Sequence, residues 1–116
     1  MILILGGAYQ GKLTYAAKRY SLKKTDIFDL STGAPDRPYP CFTHLEALTK
    51  RDPDPEKFLP LFRDSILISR EIGSGIVPMD PEERAWRERH GALVQKIAAQ
   101  SKCVVRIFCG LEEVLK

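Results

Sequence analysis

The sequence lacks long apolar runs, and cysteine, histidine and tryptophan are rare in it. No stretch approaches the roughly 18 consecutive apolar residues of a membrane-spanning helix, so no membrane span is expected. The opening apolar residues follow no basic segment and precede no small-residue cleavage site, which argues against a signal peptide and favours the cytoplasm. Cys41, Cys103 and Cys109 show no C-x-x-C spacing, and we expect buried thiols rather than disulfides.

The length and composition indicate a single globular domain. The chain has 116 residues, of which 44% are apolar and 28% are charged, and such a mixture is typical of a folded domain. It is too short for two ordinary domains and contains no internal repeat, so we expect one domain over residues 1–116.

Short apolar runs that alternate with amphipathic segments predict an α/β fold. Because the strands are separated by helices with no hairpin signal between them, the sheet should be mostly parallel. The loops after residues 5, 30 and 69 should then share one edge of the sheet, where ligands bind. Strands are predicted at 1–5, 26–30, 65–69 and 103–109, helices at 12–20, 43–50, 56–63 and 80–101, a loop at 35–40 and a tail at 110–116.

A glycine-rich turn between the first strand and the first helix matches the phosphate-binding pattern G-x-x-x-x-G-K. In such a loop, backbone N–H groups and the helix start hold phosphate oxygens while the lysine reaches the terminal phosphates. Leu13 stands where a Ser or Thr would hold Mg²⁺, and Thr14 follows about 100° further around the helix. A glycine turn that only packs strand against helix is the alternative. The predicted nucleotide-binding residues are Gly6, Gly7, Ala8, Tyr9, Gln10, Gly11, Lys12, Leu13 and Thr14.

Positive charge is concentrated around this turn. The first 24 residues contain no acid but hold Lys12, Lys18, Arg19, Lys23 and Lys24. Such a cluster suits a nucleotide phosphate site. Binding of nucleic acid by the first helix is an alternative that would leave the glycine loops unexplained, so we expect no nucleic-acid partner.

Two carboxylates follow predicted strands and are candidate Mg²⁺ ligands. Glu71 begins the second glycine-containing loop, Glu71-Ile72-Gly73-Ser74-Gly75-Ile76-Val77-Pro78, where metals and ligand hydroxyls are commonly held. The alternative for Glu71 is a solvated acid at a strand exit. Asp29 ends the second strand and could bind a metal or a ribose, or serve as an ordinary turn aspartate.

The two histidines have no acid or cysteine at the spacing of a zinc site. His44 could act as an acid or base or accept a nucleotidyl group near the sheet edge. The alternative is a histidine at a helix start with a hydrogen-bond partner. His90 lies four residues after Trp86 on one helix, and we expect it to be a packed or half-exposed partner of that ring.

Several of these motifs together resemble the bifunctional adenosylcobinamide kinase/adenosylcobinamide-phosphate guanylyltransferase family of cobalamin biosynthesis. The resemblance covers residues 1–20 and about 65–116, and it depends most on the E-x-G-x-G-I-V-P string. Its other elements are the N-terminal glycine loop, Trp86-Arg87-Glu88, Gly91 before Gln95, and the last strand with its Gly-Leu and final lysine.

The resemblance implies a RecA-like, three-layer P-loop fold and a corrinoid substrate. Members of this family phosphorylate the aminopropanol hydroxyl of adenosylcobinamide with ATP or GTP. They then transfer GMP from GTP through a guanylylated histidine. Carried over by motif, Lys12 and Glu71 would be catalytic with Mg²⁺, and Gly73, Gly75 and Arg87 would line the substrate site.

The sequence also departs from the family pattern. Family members are longer between the second strand and residue 65, where an H-R-x-x-R-P segment carries the guanylylated histidine, and Asp36-Arg37-Pro38 is only a partial match. Leu13, Arg70 and Val94 replace a Ser and two Asn residues. The resemblance therefore implies the kinase activity more directly than the guanylyltransferase activity. A non-catalytic nucleotide- or corrinoid-binding relative is the alternative, and a second copy could complete the site of so short a domain.

Overall fold

The computed structural model describes residues 1–7, 10–72 and 80–116. Across these ranges, six strands form one sheet in the order β2-β3-β4-β1-β5-β6. Neighbours among β1 to β5 pair in parallel, and β6 pairs antiparallel with β5. The strands are β1 (Ile2–Gly6), β2 (Ile27–Asp29), β3 (Cys41–Thr43), β4 (Ile66–Arg70), β5 (Cys103–Phe108) and β6 (Leu111–Val114).

Four α-helices occur in the same described ranges. Asp80 caps the longest of them, accepting a hydrogen bond from the backbone N–H of Glu82 at 3.0 Å, and Pro81 occupies the first helical position. None of the described helices combines the length and apolarity needed to cross a membrane. The helices are α1 (Lys12–Arg19), α2 (Leu45–Arg51), α3 (Leu59–Phe62) and α4 (Pro81–Gln100).

Consecutive residues of the central strands contribute to two different cores. Leu3 of β1 belongs to a core that α2 and α4 cover, whereas the next residue, Ile4, belongs to a core on the opposite face that includes Ala16 of α1. Strands buried on both faces read as continuous apolar runs, which is the pattern of residues 2–5 and 66–68. The predicted three-layer α/β fold with a mostly parallel sheet is therefore confirmed.

The predicted helix at 43–50 was partly wrong. Residues 41–43 form β3, and α2 begins at Leu45 rather than at Thr43. A strand of three residues carries too little alternation to be recognised in a sequence. The predicted helix at 56–63 is a 3₁₀ turn (Pro55–Phe58) followed by α3.

The predicted tail at 110–116 was also wrong, because Leu111–Val114 form β6. Cys109 and Gly110 connect β5 to β6 with φ values of 52° and 76°. Two positive φ values in a two-residue connection are the signature of a tight β-hairpin, so the sheet contains a hairpin that the sequence reading did not anticipate.

The expectation of three buried thiols holds for Cys41 only. Burial raises the pKa of the Cys41 thiol to about 12. Cys103 is half-buried, and Cys109 is exposed because it occupies the hairpin turn.

Candidate functional site

The glycine loop leaves the central strand at the carboxyl edge of the sheet. A Cβ atom on Gly6 would lie 2.6 Å from the carbonyl oxygen of Ile107, so only glycine fits where β1 passes β5. Gly11 precedes α1 with φ of 89°, a left-handed conformation that glycine adopts without strain. The predicted binding residues Ala8 and Tyr9 lie outside the described residues. The loop thus ends at a helix start whose first residue is Lys12.

The β5–β6 hairpin is hydrogen-bonded to this loop. The backbone N–H of Cys109 donates to Oε1 of Gln10 at 2.6 Å, and that of Gly110 donates to the Gln10 carbonyl oxygen at 3.0 Å. On the adjoining helix, the Tyr15 hydroxyl donates to the Glu112 carboxylate. The hairpin therefore fixes the second half of the glycine loop.

Lys12 lies against the loop that it follows. Its Nζ donates a hydrogen bond to the Gly7 carbonyl oxygen at 2.7 Å. Burial of the ammonium group lowers the pKa of Lys12, an effect that the Glu46 carboxylate partly opposes and the Arg70 guanidinium reinforces. Lys12 thus places a positive charge beside the glycine loop.

A cavity of about 360 Å³ opens beside Lys12. Its walls come from the start of α1, the junction between β3 and α2, and the end of β4. These segments meet because the carboxyl ends of parallel strands share one edge of a sheet. The residues that carry polar or charged groups into its lining include Gln10, Lys12, Thr14, Thr43, His44, Glu46 and Arg70.

Glu46 is the buried carboxylate of this cavity. It lies in the first turn of α2, and its Oε1 accepts a hydrogen bond from the backbone N–H of Arg70 at 2.8 Å. The bond links α2 to the end of β4 and holds the carboxylate within electrostatic range of Lys12.

A buried hydrogen-bond network supports Glu46 from the side of α4. His90 is 3% exposed, with Nδ1 2.8 Å from the Thr49 hydroxyl and Nε2 3.0 Å from the Ser69 hydroxyl. The Thr49 hydroxyl donates to the Glu46 carbonyl oxygen, and the Trp86 indole N–H donates to Thr49. Burial lowers the pKa of His90 to about 4, so its imidazole is neutral at physiological pH. His90 is a packed histidine, as expected. The partners of its ring nitrogens are the hydroxyl groups of Thr49 and Ser69, whereas the sequence analysis expected His90 to be a partner of the Trp86 ring.

His44 occupies the single position between β3 and α2. Its Nδ1 lies 2.9 Å from Oδ1 of Asp29, so it is a helix-start histidine with a side-chain partner. The same Asp29 oxygen accepts hydrogen bonds from the backbone N–H and the hydroxyl of Ser31. Asp29 therefore has the contacts of a turn aspartate, and it orients a histidine that lines the cavity with Lys12.

The residues predicted around the second glycine loop line neighbouring cavities. Glu71 pairs with Arg106, whose Nε lies 3.0 Å from Oε1 of Glu71, and its backbone N–H donates to the Gly6 carbonyl oxygen. Arg87 and Glu71 line one such cavity together. Gly73 and Gly75 lie outside the described residues. The roles predicted for Glu71 and Arg87 stay predictions.

Two residues of the Lys12 cavity had no role in the sequence analysis. Glu46 reaches it because β3 and β4 are adjacent parallel strands, and Arg70 because β4 also pairs with β1. The sequence did contain one indication of Glu46, since it places an acid two residues after His44, in the first turn of the predicted helix. It could not be used without β3, since nothing else placed that turn at the sheet edge.

A glycine turn that ends the central strand of a parallel sheet and opens a helix at a lysine is the arrangement of P-loop α/β proteins. Within that class, the family model for cobinamide kinase / cobinamide phosphate guanyltransferase matches residues 55–115, and the chain belongs to this family. The matched segment runs from the turn before α3 to the residue after β6. No curated protein matches the chain.

Proposed function

We propose that this chain is a single-domain adenosylcobinamide kinase of cobalamin biosynthesis. It binds ATP or GTP at the glycine loop and transfers the terminal phosphate to the aminopropanol hydroxyl of the corrinoid. Membership of the cobinamide kinase family supports the substrate class. The observation that carries the proposal is the cavity of about 360 Å³, in which Lys12 meets Glu46 and Arg70 at the edge of the sheet.

Two cations would stabilise the charge of the transferring phosphoryl group. Phosphoryl transfer depends on positioning and on charge stabilisation more than on covalent chemistry with the protein. Lys12 would exchange its hydrogen bond with the Gly7 carbonyl oxygen for one with a phosphate oxygen, and Arg70 contributes a second positive charge. The N-terminus of α1 adds its partial positive charge at the same place.

The cavity suits Mg²⁺ that arrives with the nucleotide. Among the described residues, no three His, Cys, Asp or Glu side chains form a metal-binding group. Mg²⁺ in nucleotide sites is typically held by phosphates with only one or two carboxylates. Glu46 is the carboxylate in the Lys12 cavity, whereas Glu71 pairs with Arg106 and Asp29 with His44. The ion would neutralise phosphate charge. Glu46 is the carboxylate best placed to bind it, ahead of Glu71 and Asp29.

Calorimetric titration with non-hydrolysable ATP and GTP analogues, with and without Mg²⁺, tests this proposal. We expect Lys12→Ala to weaken binding at least tenfold, because it removes a charge-assisted contact with phosphate. Lys18→Ala is the matched control, since Lys18 lies on the same helix in its last turn. Glu46→Gln should reduce the enhancement by Mg²⁺, and Glu71→Gln should leave it intact. Equal affinity of the Lys12→Ala and wild-type proteins would refute the proposed site.

A non-catalytic nucleotide-binding relative is favoured by one specific observation. Leu13, which replaces the Mg²⁺-binding Ser or Thr of the loop, is 41% exposed and lines the cavity. Thr14 lines the same cavity and provides the nearest hydroxyl group along the chain. A kinase should bind nucleotide more tightly with Mg²⁺ and transfer labelled γ-phosphate to cobinamide. A non-catalytic relative should bind equally well without the metal and transfer nothing.

A further inference from the structure

The connection between β3 and α2 places an imidazole beside the phosphate-binding loop. β3 ends at Thr43 and α2 begins at Leu45, so His44 alone makes the turn. Its φ of 61° lies in the left-handed region, which costs a residue other than glycine on the order of 1 kcal/mol. The strained residue is therefore one that lines the Lys12 cavity.

Asp29 fixes the orientation of that ring. Asp29 is paired with Thr43 in the parallel register of β2 and β3, so its carboxylate lies next to the turn. Its Oδ1 is held by the Ser31 N–H at 2.9 Å and the Ser31 hydroxyl at 2.6 Å before it meets His44 Nδ1 at 2.9 Å. Although partial burial acts to raise it, the pKa of Asp29 is lowered overall by these contacts. An ionised carboxylate at Nδ1 selects the tautomer with Nδ1–H, which leaves the lone pair on Nε2.

We propose that His44, oriented by Asp29, is the general base that accepts the proton of the acceptor hydroxyl during phosphoryl transfer. The proposal rests on the proposed kinase function. The acceptor O–H bond breaks and its proton passes to Nε2 of His44. The oxygen's electron pair forms a bond to the γ-phosphorus, and the bond from that phosphorus to the β-phosphate oxygen breaks to release the nucleoside diphosphate.

The charged groups around the cavity suit this assignment. Lys12 from α1 and Arg70 from β4 provide positive charge for the phosphates, and Glu46 from α2 is engaged with the backbone of Arg70. Asp29 from β2 is the carboxylate in hydrogen-bond contact with His44. The charges for phosphate and the base for the hydroxyl therefore come from different elements around one cavity.

The test measures steady-state transfer of γ-phosphate to cobinamide and, separately, the affinity for a non-hydrolysable nucleotide. His44→Asn is the preferred variant because Asn tolerates a left-handed backbone. We expect its kcat to fall by about 10²- to 10⁴-fold, the usual contribution of a general base, with nucleotide Kd within about threefold of wild type. Asp29→Asn should lower kcat less and leave the nucleotide KM unchanged.

Thr32→Val is the matched control. Its hydroxyl donates to the Asp29 carbonyl oxygen at 2.7 Å, so the variant changes the same turn without touching the carboxylate. It should retain wild-type kcat.

Two results would overturn the role of His44 as general base and leave the proposed kinase function standing. The first is transfer by His44→Asn at a rate within about threefold of wild type. The second is a covalent label from GTP labelled at the α-phosphate that depends on His44, because the residue would then accept a nucleotidyl group. If the wild-type protein transfers no phosphate to cobinamide under any condition, the proposed kinase function fails and the base role fails with it.

Discussion

The buried imidazole of His90 should make the stability of this protein depend on pH. In the folded state its pKa is lowered to about 4, whereas an imidazole in the unfolded chain titrates near 6.5. Between these values the unfolded state binds more protons than the folded state. The contribution of neutral His90 to the free energy of unfolding is therefore fully present above pH 6.5 and decreases as the pH falls toward 4.

The magnitude follows from the two pKa values. Between pH 7.5 and pH 5.0, the preferential protonation of the unfolded state should lower the free energy of unfolding by about 2 kcal/mol. Other titrating groups add their own effects over the same range. A variant that lacks only this imidazole isolates its contribution, because the remaining groups are common to both proteins.

Urea denaturation at pH 7.5 and 5.0, followed by the fluorescence of Trp86, measures this effect. Trp86 is the only tryptophan of the chain and donates to Thr49, the hydroxyl that His90 also contacts. His90→Gln retains a polar side chain that does not titrate. We expect wild type to lose about 2 kcal/mol more than the variant between the two pH values. Equal losses would show that His90 is not held neutral by burial, and the reasoning would be refuted.

Two further predictions concern glycine and cysteine. Gly6→Ala places a Cβ 2.6 Å from the Ile107 carbonyl oxygen and should lower the free energy of unfolding by about 1–3 kcal/mol in urea denaturation. Gly91→Ala, where a Cβ meets nothing within 4 Å, should raise it by about 0.5–1 kcal/mol, and the opposite order would contradict the assigned packing. Iodoacetamide followed by peptide mass analysis should modify exposed Cys109 rapidly and buried Cys41 only after denaturation. Equal rates in the native protein would argue against the hairpin.

The central part of the fold could be predicted because its signals are long or chemically specific. Residues 2–5 of β1 and 66–68 of β4 are continuous apolar runs, which is the pattern of strands buried on both faces. α4 begins where Asp80 and Pro81 form a capping sequence, and it continues for 20 residues. These signals depend on neighbouring residues in the chain, so a single sequence contains them.

The two missed strands depend on partners that are distant in sequence. β3 has three residues and is recognisable only by its pairing with β2 and β4. β6 has four exposed residues, so it lacks the alternation that burial of one face imposes. Its turn has a glycine at the second position, but Cys109 replaces the Asn or Asp that usually marks such hairpins.

The candidate site also has a part that local sequence predicts and a part that depends on residues distant in sequence. The glycine loop and Lys12 could be recognised from spacing alone, because the G-x-x-x-x-G-K pattern is a local feature of the sequence. The placement of Glu46 beside Lys12 could not be predicted, since it requires β3 to lie next to β4, whereas Arg70 is placed by the pairing of β4 with β1. The error over β3 therefore concealed the buried carboxylate of the Lys12 cavity.

The buried network connects the stability of the fold to the geometry of the site. His90 binds the hydroxyls of Thr49 and Ser69, which belong to α2 and β4, and these are the elements that provide Glu46 and Arg70. The backbone N–H of Arg70 donates to the Glu46 carboxylate, so the same two elements are bonded again at the cavity itself. A protonated His90 would carry a positive charge in a buried environment, which burial disfavours. Low pH should therefore disturb the supports of Glu46 and Arg70 along with the core. Because α4 carries His90, the helix supports the elements that form the Lys12 cavity without itself lining it.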